Sequence, residues 1–474
     1  MKRVFFLILF LSAAMLFRIS PAAAQMPFPS FADLAERLIP SVINISTLHS
    51  PENEEENDTD FQSGTPGIDR FFNQKGNNQV SLGSGFVLSE DGYIITNNHV
   101  IDQAEEISVI LSDNTKIEAE LIGRDMKTDI ALIKINTDKK LIPVVFGDSD
   151  KIRVGDWVLA IGNPFGLGGS VTAGIVSAKS RDIESGPYDN FIQTDASINQ
   201  GSSGGPMFNM NGEVIGINSA IFSTTGASMG IGFAIPVNLA KWVVSQLKNT
   251  GEVKRGWLGI KIQPNTPEIA SSLGLSSEAG ALVSGLSENS PAQKSGIKAG
   301  DIILDFDGHK IDNTKNLSRL AAETPIGKKV SVTLWRDKKE LKIPVLIEQM
   351  PEDVPESKKT EAKQPAVEGN EVLIEGFGIT VTEMSPETID KYSLNPEIKG
   401  IVITGVRSGS DAEQKGLKKG NVIVKIDKKD VFGINNVLQF VDEAKRENNR
   451  PVLLLIQDNE TVHFAAIKPD GDSK

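Results

Sequence analysis

A mainly β chain of several domains is what this sequence predicts, and three observations carry that expectation. Between residues 80 and 240 short apolar runs alternate with turn signals, and many short strands at such spacing indicate an antiparallel barrel or sandwich. Glycine is plentiful, 43 of 474 residues, which suits a turn-rich β protein. The C-terminal half repeats itself: residues 280–311 align without a gap on residues 400–431, with Gly280, Gly285, Ser290, Ala292, Gly296, Lys298, Gly300, Ile303 and Asp307 matched by identical residues at an offset of 120. Two related smaller domains therefore follow the first.

The elements follow in order. Lys2-Arg3, an apolar stretch over residues 4–17 and Ala22-Ala23-Ala24 before Gln25 read as a cleaved signal peptide over residues 1–24. The apolar stretch is short for a bilayer span. No later stretch is apolar and long enough to span, so membrane contact is expected to be at most peripheral. Residues 31–40 predict a short amphipathic helix stopped by Pro40, and residues 41–45 a strand. Residues 50–79 are polar and acidic, with Glu54-Glu55-Glu56, and predict a mobile loop. Glu90-Asp91-Gly92 and Asn209-Met210-Asn211-Gly212 separate apolar runs as hairpin turns do. Residues 237–249 predict a helix that closes the first domain. Residues 351–370 are polar and rich in Pro, Glu and Lys, the composition of a linker.

Composition narrows the function classes. The net charge is −13 with no basic stripe, so nucleic acid is not an expected partner. With no cysteine, disulfides and thiolate metal sites are excluded.

Chemistry concentrates at Gly201-Ser202-Ser203-Gly204-Gly205-Pro206. A serine hydroxyl is a poor nucleophile until a base takes its proton. Glycines let the backbone bend sharply and let a carbonyl approach. The N–H groups of Gly201, Ser202 and Ser203 can converge on a developing oxyanion. Of four histidines, only His99 ends an apolar strand-like run. Asp129 heads the apolar run Ile130-Ala131-Leu132-Ile133, where a carboxylate needs a hydrogen-bond partner. A strand cap for Asp129 and a core histidine for His99 are the bland alternatives. The order His, Asp, Ser is that of chymotrypsin-type enzymes, and with it two packed β-barrels with the site between them become the expected fold of residues 25–250.

Thr96-Asn97-Asn98-His99-Val100, Thr128-Asp129-Ile130-Ala131-Leu132 and Gly201-Ser202-Ser203-Gly204-Gly205 resemble the three active-site blocks of the HtrA (Deg/Do-like) serine proteases. Gly162-Asn163-Pro164-Phe165-Gly166 and Gly174-Ile175-Val176-Ser177-Ala178 resemble further blocks of that family. The chain departs from it at Ser202, where many relatives carry Asn. The resemblance implies a chymotrypsin-like double β-barrel followed by two PDZ domains, at 251–350 and 371–474, with the linker at 351–370. It implies Ser203 as nucleophile, His99 as base, Asp129 as orienting acid, and no cofactor or metal.

In such a fold residues 196–199 line the pocket for the residue before the cut. They hold no acid, and Ile198 suggests a small apolar pocket for Val, Ala or Ile. Ser219, Ala220, Ile221 and Phe222 should pair with an extended substrate. In the PDZ copies Leu258, Gly259 and Ile260, and Phe377, Gly378 and Ile379, take the place of the loop that holds a peptide's terminal carboxylate, with the following strand adding the peptide. The expected activity is cleavage of unfolded or damaged proteins in the periplasm, regulated by peptide ends at the PDZ domains. The acidic loop should reach a neighbouring active site, and the assembly should be a homo-trimer or multiples of it, with Phe28 and Phe31 as exposed interface aromatics. A chaperone, or a peptide-binding scaffold in which proteolysis is minor, is the alternative.

Overall fold

The computed structural model describes residues 30–49, 79–162, 169–223, 227–351, 371–447, 449–458 and 461–469. The signal-peptide residues, Phe28, the acidic loop over 50–78, the block at 163–166 and the linker over 352–370 lie outside them. The chain forms two compact units, Met1–Val253 and Lys254–Lys474.

The first unit opens with helix α1 (Ala32–Leu38) and a 3₁₀ turn holding Pro40. Strands β1 (Val42–His49), β2 (Gln79–Val87), β3 (Tyr93–Thr96), β4 (Glu106–Ile110), β5 (Lys116–Asp125) and β6 (Ile130–Ile135) close into a barrel in the order β1-β2-β3-β6-β5-β4. A short helix, α2 (Asn98–Ile101), interrupts them after β3. Strands β7 (Val145–Phe146), β8 (Trp157–Gly162), β9 (Ser170–Arg181), β10 (Phe191–Thr194), β11 (Pro206–Phe208), β12 (Glu213–Ile221) and β13 (Gly232–Pro236) form a second sheet, which the β11–β12 pairing returns on itself. Helix α3 (Val237–Thr250) follows and ends at Gly251, whose φ of 75° lets its N–H reach the Leu247 carbonyl.

Side-chain alternation explains why β6 is apolar at nearly every position. Ala131, Ile133 and Ile135 fill the first barrel beside Ile43, Ile45 and Val109. Ile130 and Leu132 point the other way, into a layer shared with Leu159, Phe208 and Val214 of the second sheet. The second barrel has its own interior, with Val158, Val176, Ile192 and Ile215. The β2–β3 turn needs Gly92: its φ is 95°, and a Cβ there would strike the Ile135 carbonyl.

The second unit holds the two repeats. In each, the repeated serine caps a short helix: Ser290 accepts from Gln293 N–H, and Ser410 from Glu413 N–H. The repeated glycines at 296 and 416 have φ of 84° and 82°, which explains why those positions recur. The first copy has a sheet led by Ile260–Pro264 and a helix over Thr314–Glu323. The second has a sheet that runs from Val372–Ile374 to Val462–Ile467 and a helix over Ile434–Arg446. The copies share an apolar layer in which Ile269, Leu273 and Ile302 meet Leu453, Leu455 and Phe464. Gln263 closes the joint. Its amide donates to the Phe464 carbonyl at 2.9 Å and accepts from the Phe464 N–H at 2.7 Å.

Candidate active site

The site is assembled from loops at the ends of buried strands. His99 stands on α2, just after β3, and Asp129 immediately precedes β6. The antiparallel pairing of β3 with β6, Thr96 opposite Ala131, brings these two ends together. His99 Nδ1 lies 2.7 Å from Asp129 Oδ2, and the His99 backbone N–H donates to Asp129 Oδ1 at 2.9 Å. A carboxylate only accepts, so the Nδ1 facing it carries a proton, and in the neutral ring Nε2 is the nitrogen with a free lone pair. Asp129 holds a left-handed backbone, φ 56°, and its carbonyl accepts from Asn97 Nδ2 at 2.7 Å and Asn98 N–H at 3.2 Å. Such strain persists where neighbours over-determine it.

Ser203 faces the same spot from the second barrel. Its Oγ donates to the Ser219 carbonyl at 3.3 Å rather than to His99. Ser219 Oγ in turn donates to Asp129 Oδ2 at 3.0 Å. Ser203 and Asp129 are thus joined through one residue, Ser219. Ser202 is 7% exposed and Ser203 is more open, which separates the two adjacent serines by access.

The turn Gly201-Ser202-Ser203-Gly204 is held by the first barrel. Ser84 of β2 donates its hydroxyl to the Gly201 carbonyl at 2.6 Å and its N–H to the Ser203 carbonyl at 2.9 Å. Gly204, with φ of 84°, sits so close that a Cβ would meet the Ser84 carbonyl and Thr96 Oγ1. The expectation of three oxyanion donors is corrected here. Ser202 N–H donates to the Asn199 carbonyl at 2.9 Å and is unavailable. Among the described residues no acceptor is bonded to the N–H of Gly201 or Ser203. Neither Ser84 nor the Ser219 hydroxyl had been singled out from sequence for these roles.

The substrate-binding expectations meet a mixed geometry. Ile198 is 1% exposed and lies inside the second barrel with Val176, Ile192 and Ile215. Its side chain is core, because the turn before Ser203 points it inward, so it does not line an open pocket. Ser219, Ala220 and Ile221 belong to the end of β12, where β13 is the one paired strand among the described residues. Phe222 lies beyond the strand and is 61% exposed. Phe31 was expected to be an exposed aromatic. It is instead partly buried, with its ring centroid 5.6 Å from that of Trp157.

The two PDZ-like loops differ. Gly259 and Gly378 both have a left-handed backbone, φ 70° and 63°. Leu258 is buried in the first copy's core, and Ile260 starts a strand that, among the described residues, pairs only with Ala281–Leu286. In the second copy Phe377 is core, and the edge beginning at Ile379 is already paired with Val372–Ile374. The Gly378 N–H bonds to the carbonyls of Ile374 and Glu375 at 3.0 and 3.1 Å. The expectation of an open second groove is therefore not met.

Residues 83–217 match the trypsin-like peptidase domain, and residues 256–347 and 371–457 each match the PDZ domain. The chain is 41% identical over 474 residues to a probable periplasmic serine endoprotease, DegP-like, of Brucella suis biovar 1 (strain 1330), covering 93% of this chain and 90% of that one. A protein of the same description from Rickettsia conorii (strain ATCC VR-613 / Malish 7) is 42% identical over 457 residues, covering 93% and 89%. Among solved structures, the HtrA-type protease AlgW with tripeptide aligns with a TM-score of 0.58 at 39% identity, over 69% of this chain and 99% of that one. AlgW with decapeptide aligns with a TM-score of 0.56 at 39% identity, over 69% and 100%.

Proposed function

We propose that this chain, which belongs to the DegP-like, HtrA-type family of serine endoproteases, cuts unfolded polypeptides by acyl transfer through Ser203, His99 and Asp129. It is a serine endopeptidase with two PDZ domains; the roles of individual residues are this reading's own. The observation that carries them is the 2.7 Å contact of His99 Nδ1 with Asp129, which leaves Nε2 as a base beside the accessible Ser203.

Ser203 Oγ turns from the Ser219 carbonyl to His99 Nε2 and attacks the scissile carbonyl as its proton passes to the imidazole. The oxyanion is received by the N–H groups of Gly201 and Ser203. The intermediate collapses, the amine leaves with the proton from His99, and water enters to hydrolyse the acyl-enzyme by the same proton route. Asp129 fixes the tautomer and stabilises the imidazolium. No step calls for a cofactor or metal.

The open edge at Ser219, Ala220 and Ile221 suits an extended substrate strand. Residues 196–199 carry no acid, which disfavours Lys and Arg before the cut and suits extended apolar runs. Extended runs of that kind are buried in folded proteins, so unfolded and damaged chains are the substrates. The first PDZ copy, with its edge open at Ile260 and its loop at Leu258 and Gly259, takes the C-terminal ends of peptides and raises the cutting rate. The periplasm is the compartment: the relatives are named for it, and residues 1–24 have the pattern of a cleaved signal. No described helix is long and apolar enough to cross a membrane. Assembly into trimers or multiples of trimers rests on family membership alone.

Digestion of denatured casein tests the reading. Wild type yields fragments whose cuts follow apolar residues rather than Lys or Arg, while Ser203→Ala lowers kcat by about 10⁴-fold or more. Cuts after Lys and Arg contradict the pocket, and full activity in Ser203→Ala contradicts the nucleophile.

A further inference from the structure

The two PDZ copies start from one plan and diverge at their ligand edge. In a PDZ domain a peptide end adds a strand to the edge beyond the carboxylate loop, running toward that loop, and its terminal oxygens take loop N–H groups. In the first copy the lead-in strand Gly256–Trp257 pairs away from that edge, with Glu348–Gln349. In the second copy the lead-in strand Val372–Ile374 folds back on the edge itself, with Val372 opposite Val381, Leu373 opposite Thr380 and Ile374 opposite Ile379.

The fit is that of a ligand. The segment runs antiparallel to Ile379–Glu383, toward the loop. Ile374 is 1% exposed and belongs to the core beside Val437 and Val441 of the neighbouring helix, and Val372 packs against the same cluster. Between them Leu373 points outward, 53% exposed. This alternation is that of an added strand with two anchoring side chains. The Ile374 carbonyl accepts the Gly378 N–H at 3.0 Å, which is the place a terminal carboxylate would take. In the first copy, among the described residues, no acceptor is bonded to the Gly259 N–H.

We propose that the second PDZ domain is self-ligated: Val372–Ile374 is the occupant of its peptide groove, and external peptide ends bind the first domain only. The internal segment is tethered, so its effective concentration exceeds that of any free peptide competing for the same edge. The second domain accepts an external peptide only when this strand leaves. The proposal rests on the reading of the first copy as an open carboxylate groove.

The test uses the full chain and a fluorescein-labelled octapeptide ending in Glu-Val-Leu-Ile with a free carboxylate, the order of residues 371–374. Wild type binds one peptide per chain. Gly259→Leu, whose side chain would run into Ser290 and Trp257, weakens binding by about 50-fold or more. Adding Leu373→Pro to Gly259→Leu restores one site. Amide exchange without peptide gives a second measurement that needs no variant. Exchange is slow across Ile379–Val381 and fast across Ile260–Ile262, and peptide slows the latter by about tenfold while changing the former less than about twofold. Two sites per wild-type chain, wild-type affinity in Gly259→Leu, or fast exchange across Ile379–Val381 overturns the proposal. No binding to wild type contradicts the reading of the first groove instead, and exchange across Ile379–Val381 then decides this one.

Discussion

Asp129 accepts hydrogen bonds on all three of its oxygens. Its carbonyl takes Asn97 and Asn98, Oδ1 takes the His99 N–H, and Oδ2 takes both His99 Nδ1 and Ser219 Oγ. The Ser219 hydroxyl adds a neutral donor to a carboxylate that must face one way throughout the reaction. Ser219→Ala keeps the backbone carbonyl that faces Ser203 and removes only this donor. A hydrogen bond to a charged group contributes about 1.5–3 kcal/mol, so kcat should fall by about 10- to 100-fold with KM little changed. A loss of thermal stability with kcat intact would make Ser219 merely structural. Motif order pointed to His99 and Asp129 as neighbours, and they are. The hydroxyls of Ser84 and Ser219 were not legible, since their partners lie 117 and 90 residues away, and no local pattern marks a serine that will meet them. The loss of Ser202 as an oxyanion donor has the same origin. Its N–H turns to Asn199 only in the folded loop.

At the scale of elements, the repeat makes its own control. Asp301 and Asn421 hold matched positions, accepting the N–H of Lys298 at 2.7 Å and of Lys418 at 2.8 Å. Asp301, 1% exposed, also takes Arg336 Nε at 2.7 Å and Nη2 at 2.6 Å, and this hydrogen bond is the main cause that raises the Arg336 guanidinium above its ordinary value. Asp301→Asn keeps the turn and removes the charge, leaving Arg336 unmatched. Breaking a pair buried on the acid side should destabilise the first PDZ copy by about 3 kcal/mol, read as a lower urea midpoint for the second unit. An unchanged midpoint would mean that solvent replaces the carboxylate. Hairpins at Gly92 and Gly212 and the helix after β13 were legible because Asx-Gly turns and apolar periodicity are local signals. The seat of Val372–Ile374 was not. Three apolar residues after a linker fit either sheet edge, and only the packing of Ile374 against the helix decides.

At the scale of the molecule, three apolar layers organise the first unit and a shared layer joins the PDZ copies of the second. The last strand of the second copy carries a titrating group on the face opposite that layer. His463 lies on the edge strand beside Phe464, and burial lowers its imidazole from the ordinary 6.5, with Asp458 partly opposing the shift. The neutral ring is favoured in the folded state, so below 6.5 the unfolded chain binds more protons. Stability of the second unit therefore falls as pH drops through that value and stops falling once the folded ring also titrates. Denaturation midpoints measured from about pH 7.5 to 5.5 should show this decline, and His463→Gln should reduce it. An equal decline in the variant would assign it to carboxylates. The broad architecture was legible from turn spacing, the repeat and motif order together; the apolar layer that joins the repeats was not, because its members are scattered singly along strands.

Ser203 is the proposed nucleophile of this serine endopeptidase. Diisopropyl fluorophosphate labelling followed by peptide mapping tests it most directly. One adduct is expected, on Ser203, formed in parallel with loss of casein cleavage and strongly slowed in His99→Ala. An adduct on Ser202, or casein cleavage that continues with Ser203 fully labelled, would contradict it.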